Sequence, residues 1–177
     1  MSGVSKGLRK VEVALKWDPS PLGAAPHDLD IVAAVYGADD PHGTPVHLVH
    51  FGNRAPDGTI TLDRDSRTGQ GFGFDEVMTL ELDRMAPALR RVVVGVVVQR
   101  EAGEEKGKTF RDVPGTVVRI REGHRDLMLG DFRSAADASA ATVAEFARDS
   151  SDSWQPNLRV RGFAVDPEEF VRVMGRA

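Results

Sequence analysis

Residues 62–76, LDRDSRTGQGFGFDE, gather four acids (Asp63, Asp65, Asp75 and Glu76) around Gly69, Gly71 and Gly73. A plain hairpin turn needs only about two to five residues, so this connection is long as well as acidic. Carboxylates and backbone carbonyls are the ligands of hard cations, and glycine lets carbonyls turn inward, so calcium is the first chemistry to consider. A second acid pair, Asp28-Leu29-Asp30, stands where a proline-rich loop enters a strand. Strand alternation puts both carboxylates on one side and Leu29 on the other. If the two segments meet, like charges converge and call for a cation or for protonation. The competing reading is a solvated acidic loop, with Asp28 and Asp30 capping turns.

Other chemistries fit less well. Counted from Asp63, the fifth loop position is Arg67, the sixth is Thr68 and the twelfth is Phe74, which is not an EF-hand. GQGFG would cradle phosphate only if a helix opened after it, and a strand pattern follows instead. His47 and His50 fall on opposite faces of a strand. No G-x-S-x-G elbow occurs. The chain has no cysteine, which excludes disulfides, thiolate metal sites and cysteine nucleophiles.

These acids must be positioned by strands. Val11, Val13, Leu15 and Trp17 alternate with Glu12, Ala14 and Lys16, the pattern of a half-buried strand. DLDIVAAVYG (28–37), PVHLVHFGN (45–53), TITL (59–62) and VMTLELD (77–83) follow, with a turn at Pro56-Asp57-Gly58. RRVVVGVVVQ (90–99) reads as a core strand buried on both faces. GTVVRIRE and HRDLMLGDF form a hairpin around Gly123, and LRVRGFAV is a last strand. EAGEEKGKT (101–109) reads as a surface loop. Two helices are expected: one over 134–150, SAADASAATVAEFARDS, and one over DPEEFVRVMGR, with Asp166 as cap, Pro167 at the first helical position, Glu169 closing the box and Gly175 as the stop. Trp17 and Trp154 are expected in the core.

Many strands with late helices predict a mainly β fold, a sandwich of two antiparallel sheets with one or two short helices in the C-terminal part. At 177 residues, without repeat or linker, the expectation is a single domain over 1–177. No signal-peptide core or membrane-length apolar run is present, which predicts an intracellular protein with no membrane span. The net charge of −4 and the low aromatic content argue against nucleic-acid binding. Between Asp57 and Asp83 seven acids face only Arg64 and Arg67, so the acidity is concentrated around the glycine loop.

LRKVEVALKWD, DLDIVAAVYG, HFGN and DRDSRTGQGFGFDE, in this order and followed by an alternating strand, resemble the TerD-domain family of tellurium-resistance and bacterial stress proteins. The likeness runs from about Leu8 to Val98, and more loosely to the end. It implies a β-sandwich and a non-enzymatic, cytoplasmic role in stress resistance among other stress-response proteins. It also implies calcium binding through acidic loops. Carried over by position, the ligands are Asp28, Asp30, Asp65, Asp75 and Glu76, helped by glycine-loop carbonyls, with Asp18 a weaker candidate that caps a turn. The family's Gly-Asp-Asn is here Arg64-Asp65-Ser66, and Gln70, Phe72 and Phe74 stand where it carries acids. Calcium affinity follows ligand charge, so the resemblance implies a weakened site or a lost one. In the second case Phe72 and Phe74 become an apolar tip for docking a partner.

Overall fold

Alternation along the first strand is realised as read: Val11, Val13 and Leu15 of β1 (Lys10–Lys16) are fully buried, and Trp17 follows them inward. The computed structural model describes residues 7–54, 56–64, 73–100 and 107–176. In one antiparallel sheet β1 is central, flanked by β5 (Glu76–Glu81) and β7 (Val117–Glu122), with β4 (Ile60–Arg64) and β8 (Arg125–Asp131) at the edges. Ala14, on the outer face of this sheet, is nevertheless fully buried, because neighbours on both sides close over a small side chain.

The second antiparallel sheet runs β10-β9-β6-β2-β3, from β10 (Trp154–Phe163) through β9 (Ala140–Arg148), β6 (Leu89–Val98) and β2 (Leu29–Gly37) to the short β3 (His47–Val49). The predicted strand at 45–53 is thus shorter than its sequence pattern; beyond it His50 and Asn53 form an isolated bridge. Inner-face residues of both sheets share one apolar core, with Val92, Val94, Val96 and Val98 of β6 opposite Val11, Val13 and Leu15. Val93 and Val97 form a second cluster with Phe170 of the helix α1 (Pro167–Val173). β6 is therefore buried on both faces, as its continuous apolar run of valines around Gly95 predicts. Gly95 permits this packing, since a Cβ there would lie 2.5 Å from Phe170 Cζ and 2.9 Å from the Ala141 carbonyl.

The predicted helix over 134–150 is a correction. Arg133–Ala135 forms one 3-10 turn, and Ala140–Arg148 is β9, paired on one side with β6 and on the other with β10. Helix propensity is a weak prior that tertiary context overrides. Here Phe132 stacks on Phe110, with ring centroids 4.5 Å apart. The Phe110 and Arg111 N–H groups donate to the Ala138 and Ala136 carbonyls, which holds this segment flat against its neighbour. Alanines of β9 are buried on both faces of the sheet, Ala141 and Ala144 in the core between the sheets and Ala140 beneath α1. α1 begins at Pro167 as expected, but the Asp166 side chain makes no cap bond; its carbonyl accepts the Phe170 N–H at 2.9 Å. Trp17 and Trp154 are core residues. Among the described residues no helix is long and apolar enough to cross a membrane.

Candidate metal centre

The end of the sandwich where β1 finishes and β2 and β5 begin carries most of the predicted acids. β3 covers β2 only as far as the Ala33–Val49 pair, so among the described residues the Ile31 N–H faces an edge that no strand reaches. Glu76 answers it. Its position shares the inner-face parity of Met78 and Leu80, and its Oε2 accepts the Ile31 N–H at 2.7 Å. A fully buried carboxylate thereby ties the first sheet to the second. Asp75 extends the β1–β5 ladder past its last pair: its N–H donates to the Leu15 carbonyl at 2.8 Å, and its Oδ2 accepts the Trp17 N–H at 2.9 Å. It too is buried.

Asp30 lies on the opposite face of β2 from Leu29, as alternation requires, and is 3% exposed. Gln99, just beyond β6, donates from Nε2 to Asp30 Oδ2 at 2.6 Å and from its backbone to the Asp28 carbonyl at 2.8 Å. Asp28 is half-buried. The adjacent proline-rich loop is fastened from two sides. Trp17 Nε1 donates to the His27 carbonyl at 2.9 Å, and Lys108 Nζ donates to the Pro26 carbonyl at 3.0 Å and to that of Ala25 at 3.3 Å. Lys108 belongs to the segment read as a surface loop, and Gln99 was read only as the end of a core strand. Neither carries a local sequence signal for its role, because each partner is far away along the chain.

The remaining predicted residues divide. Asp65 and Phe72 lie outside the described residues. Asp18 meets the distant turn at Pro114-Gly115: its N–H donates to the Pro114 carbonyl, and its carboxylate packs so closely on Gly115 that a Cβ there would lie 2.4 Å from it. Phe74 is half-buried, with the Arg119 guanidinium carbon 4.2 Å from its ring centroid.

Donor type and burial at this end suit a hard cation, since the groups are carboxylates held by backbone and amide donors. Among the described residues alone, however, no three Asp, Glu or His side chains form a group that could hold a metal ion.

The fold is that of a known class. The TerD domain family matches residues 1–172, and the chain belongs to the TerD-domain family. A tellurium resistance protein TerD from Alcaligenes is 24% identical over 147 residues, covering 82% of this chain and 76% of that protein. The uncharacterized protein YceE of Bacillus subtilis is 26% identical over 169 residues, 93% of this chain and 86% of its own length. Among solved structures, a homologue of the telluride resistance protein TerD from Streptomyces coelicolor superposes with a TM-score of 0.90 at 53% identity, covering 96% of this chain and 98% of the other. A second structure, of a protein of unknown function, gives 0.91 at 51% identity with the same coverage.

Proposed function

We propose that this TerD-domain protein acts without catalysis in cytoplasmic resistance to tellurium and related stress, alongside other stress-response proteins. In this reading it binds calcium weakly at the acidic end of its sandwich, through Asp28, Asp30, Asp65, Asp75 and Glu76. The observation that carries the reading is the burial of Asp30, Asp75 and Glu76 at the end of the sandwich where β1 finishes and β2 and β5 begin. Burying like charges is unfavourable unless they are hydrogen-bonded and neutralised. A bound calcium would add positive charge at this end and cross-link the loops that bear the ligands.

Thermal unfolding of the chelator-stripped chain, titrated with calcium against a magnesium control, tests this directly. A ligand of the folded state at a hundredfold excess over its Kd stabilises by about 2.7 kcal/mol, so a calcium-specific rise in Tm is expected. Asp75→Asn keeps an oxygen for the Trp17 N–H but removes the charge, and should abolish the rise while leaving the metal-free Tm nearly unchanged. A Tm indifferent to calcium in the wild-type chain overturns the proposal.

The half-exposed Phe74–Arg119 pair supports a second reading, in which the same fold has lost metal binding and docks partners through Phe72 and Phe74. It lies against the first sheet, whereas α1 covers the second. Under this reading the wild-type chain gives no calcium response, and Phe72→Ser with Phe74→Ser should strip co-purifying partners from it. Undiminished partner recovery would end it.

A further inference from the structure

α1 has seven residues, about 10 Å of helix. It covers the outer face of the second sheet over β2, β6 and the ends of β9 and β10 at Ala140 and Phe163, but leaves the rest of the β9–β10 pair open. Beyond the helix end at Met174, the open part forms a cup of about 170 Å³ whose polar lining comes from Arg91, Thr142, Glu145, Asn157, Arg159 and Arg161. Those residues come from three strands. Glu145 pairs across the ladder with Asn157, and Thr142 with Arg161, so the polar side chains stand side by side on one face. In β10, Arg159 and Arg161 are exposed while Leu158 and Val160 pack on the core, so both guanidinium groups point outward.

The charge of the cup is unlike that of the chain. Three arginines against one glutamate leave a surplus of two positive charges in a protein whose net charge is −4. Arg91 is rigidly held: its Nε donates to Glu145 Oε1 at 2.7 Å, and one terminal nitrogen donates to the carbonyls of Gly175 at 2.7 Å and Pro41 at 2.9 Å. It is nearly buried, with its guanidinium over the Tyr36 ring. Glu145 is thus engaged by Arg91. Arg159 and Arg161 have no acidic partner among the described residues; Arg161 instead lies over the ring of Phe163. Charge on an edge strand also discourages unwanted strand pairing, but that purpose does not require a hollow lined with a fixed arginine, a threonine and an asparagine.

We propose that this cup binds a small oxyanion of the phosphate or sulfate kind. Arg159 and Arg161 would supply charge-assisted hydrogen bonds and Thr142 and Asn157 neutral ones, over a floor set by Arg91. Planar guanidinium forks suit tetrahedral oxyanions. The volume is below the roughly 300–1,000 Å³ of sites that enclose drug-sized ligands, which selects an isolated anion or a single anionic group rather than a nucleotide. The site lies on β6, β9 and β10, away from the carboxylates that close the gap beyond β3, so it stands or falls independently of calcium.

Isothermal titration of the full chain with inorganic phosphate, at fixed ionic strength and with chloride as control, tests it. Saturable one-to-one binding in the millimolar range or tighter is expected. Arg159→Gln with Arg161→Gln should weaken it at least tenfold, with an unchanged circular dichroism spectrum. Glu145→Gln keeps an acceptor for Arg91 and removes the opposing charge, so it should tighten binding severalfold. Arg125→Gln, on the edge of the other sheet, should leave it unaltered. No saturable heat with phosphate, or equal binding by the double variant, overturns the proposal, as does an equal loss in Arg125→Gln, which would mean only a diffuse charge effect.

Discussion

Replacing Glu76 by alanine is expected to destabilise the protein by about 2–3 kcal/mol, the cost of leaving a buried donor unsatisfied together with the space the side chain vacates. For a chain of this size that is roughly 5–10 °C in Tm. The donor is the Ile31 N–H, which sits where β3 has already ended and receives Glu76 Oε2 at 2.7 Å. Glutamine at the same position retains an acceptor oxygen and removes one charge from an acidic neighbourhood, so Glu76→Gln should cost under about 1 kcal/mol in the absence of metal. The two substitutions separate two roles. If Glu76 is a structural acceptor, only alanine lowers the metal-free Tm; if it is also a calcium ligand, both abolish the calcium response. Urea titration with and without calcium reads both quantities. Equal metal-free stability of the alanine and glutamine variants would show that the cross-sheet bond contributes nothing.

Phe170→Ala should be more damaging still, by about 3–5 kcal/mol, as for other large buried aromatic side chains. Phe170 is fully buried, packs edge-to-face on Phe163 with centroids 5.4 Å apart, and is central to the cluster containing Val32, Tyr36, Val93 and Val97. Its loss opens a cavity between α1 and β6 that Gly95 is too small to fill. The main core between the sheets does not contain Phe170. The damage should therefore begin locally, with amide protection lost first in α1 and in the chain around Gly175, and only later in β6 and β9. Hydrogen exchange distinguishes this from uniform loss of protection. A denaturation midpoint within error of the wild-type value would contradict the packing described for α1.

Much of the architecture could be read from local patterns. Alternation in 10–17 and the valine run of 92–98, interrupted only by Gly95, report burial on one face and on two faces, and both follow from how a strand meets its neighbours. Gly123 and the Pro56-Asp57-Gly58 turn marked chain reversals. The acids that end up buried were also visible, because Asp in or beside a strand is unfavourable unless something holds it. What could not be read was partnership. The run AATVAEFAR carries a helix former's composition and becomes a strand only because β6 and β10 offer it hydrogen bonds on both sides.

Periodicity and residue type record each position's immediate environment, and so the family, the mainly β character, the buried faces and the acid-bearing segments are legible along the chain. That Glu76 bonds a strand of the opposite sheet, that Gln99 and Lys108 hold the Asp28–Asp30 end, and that arginines separated by about seventy residues share one cup emerges from the folded arrangement. Those contacts join residues distant along the chain, and their energies depend on distance and burial rather than on anything the neighbouring letters record.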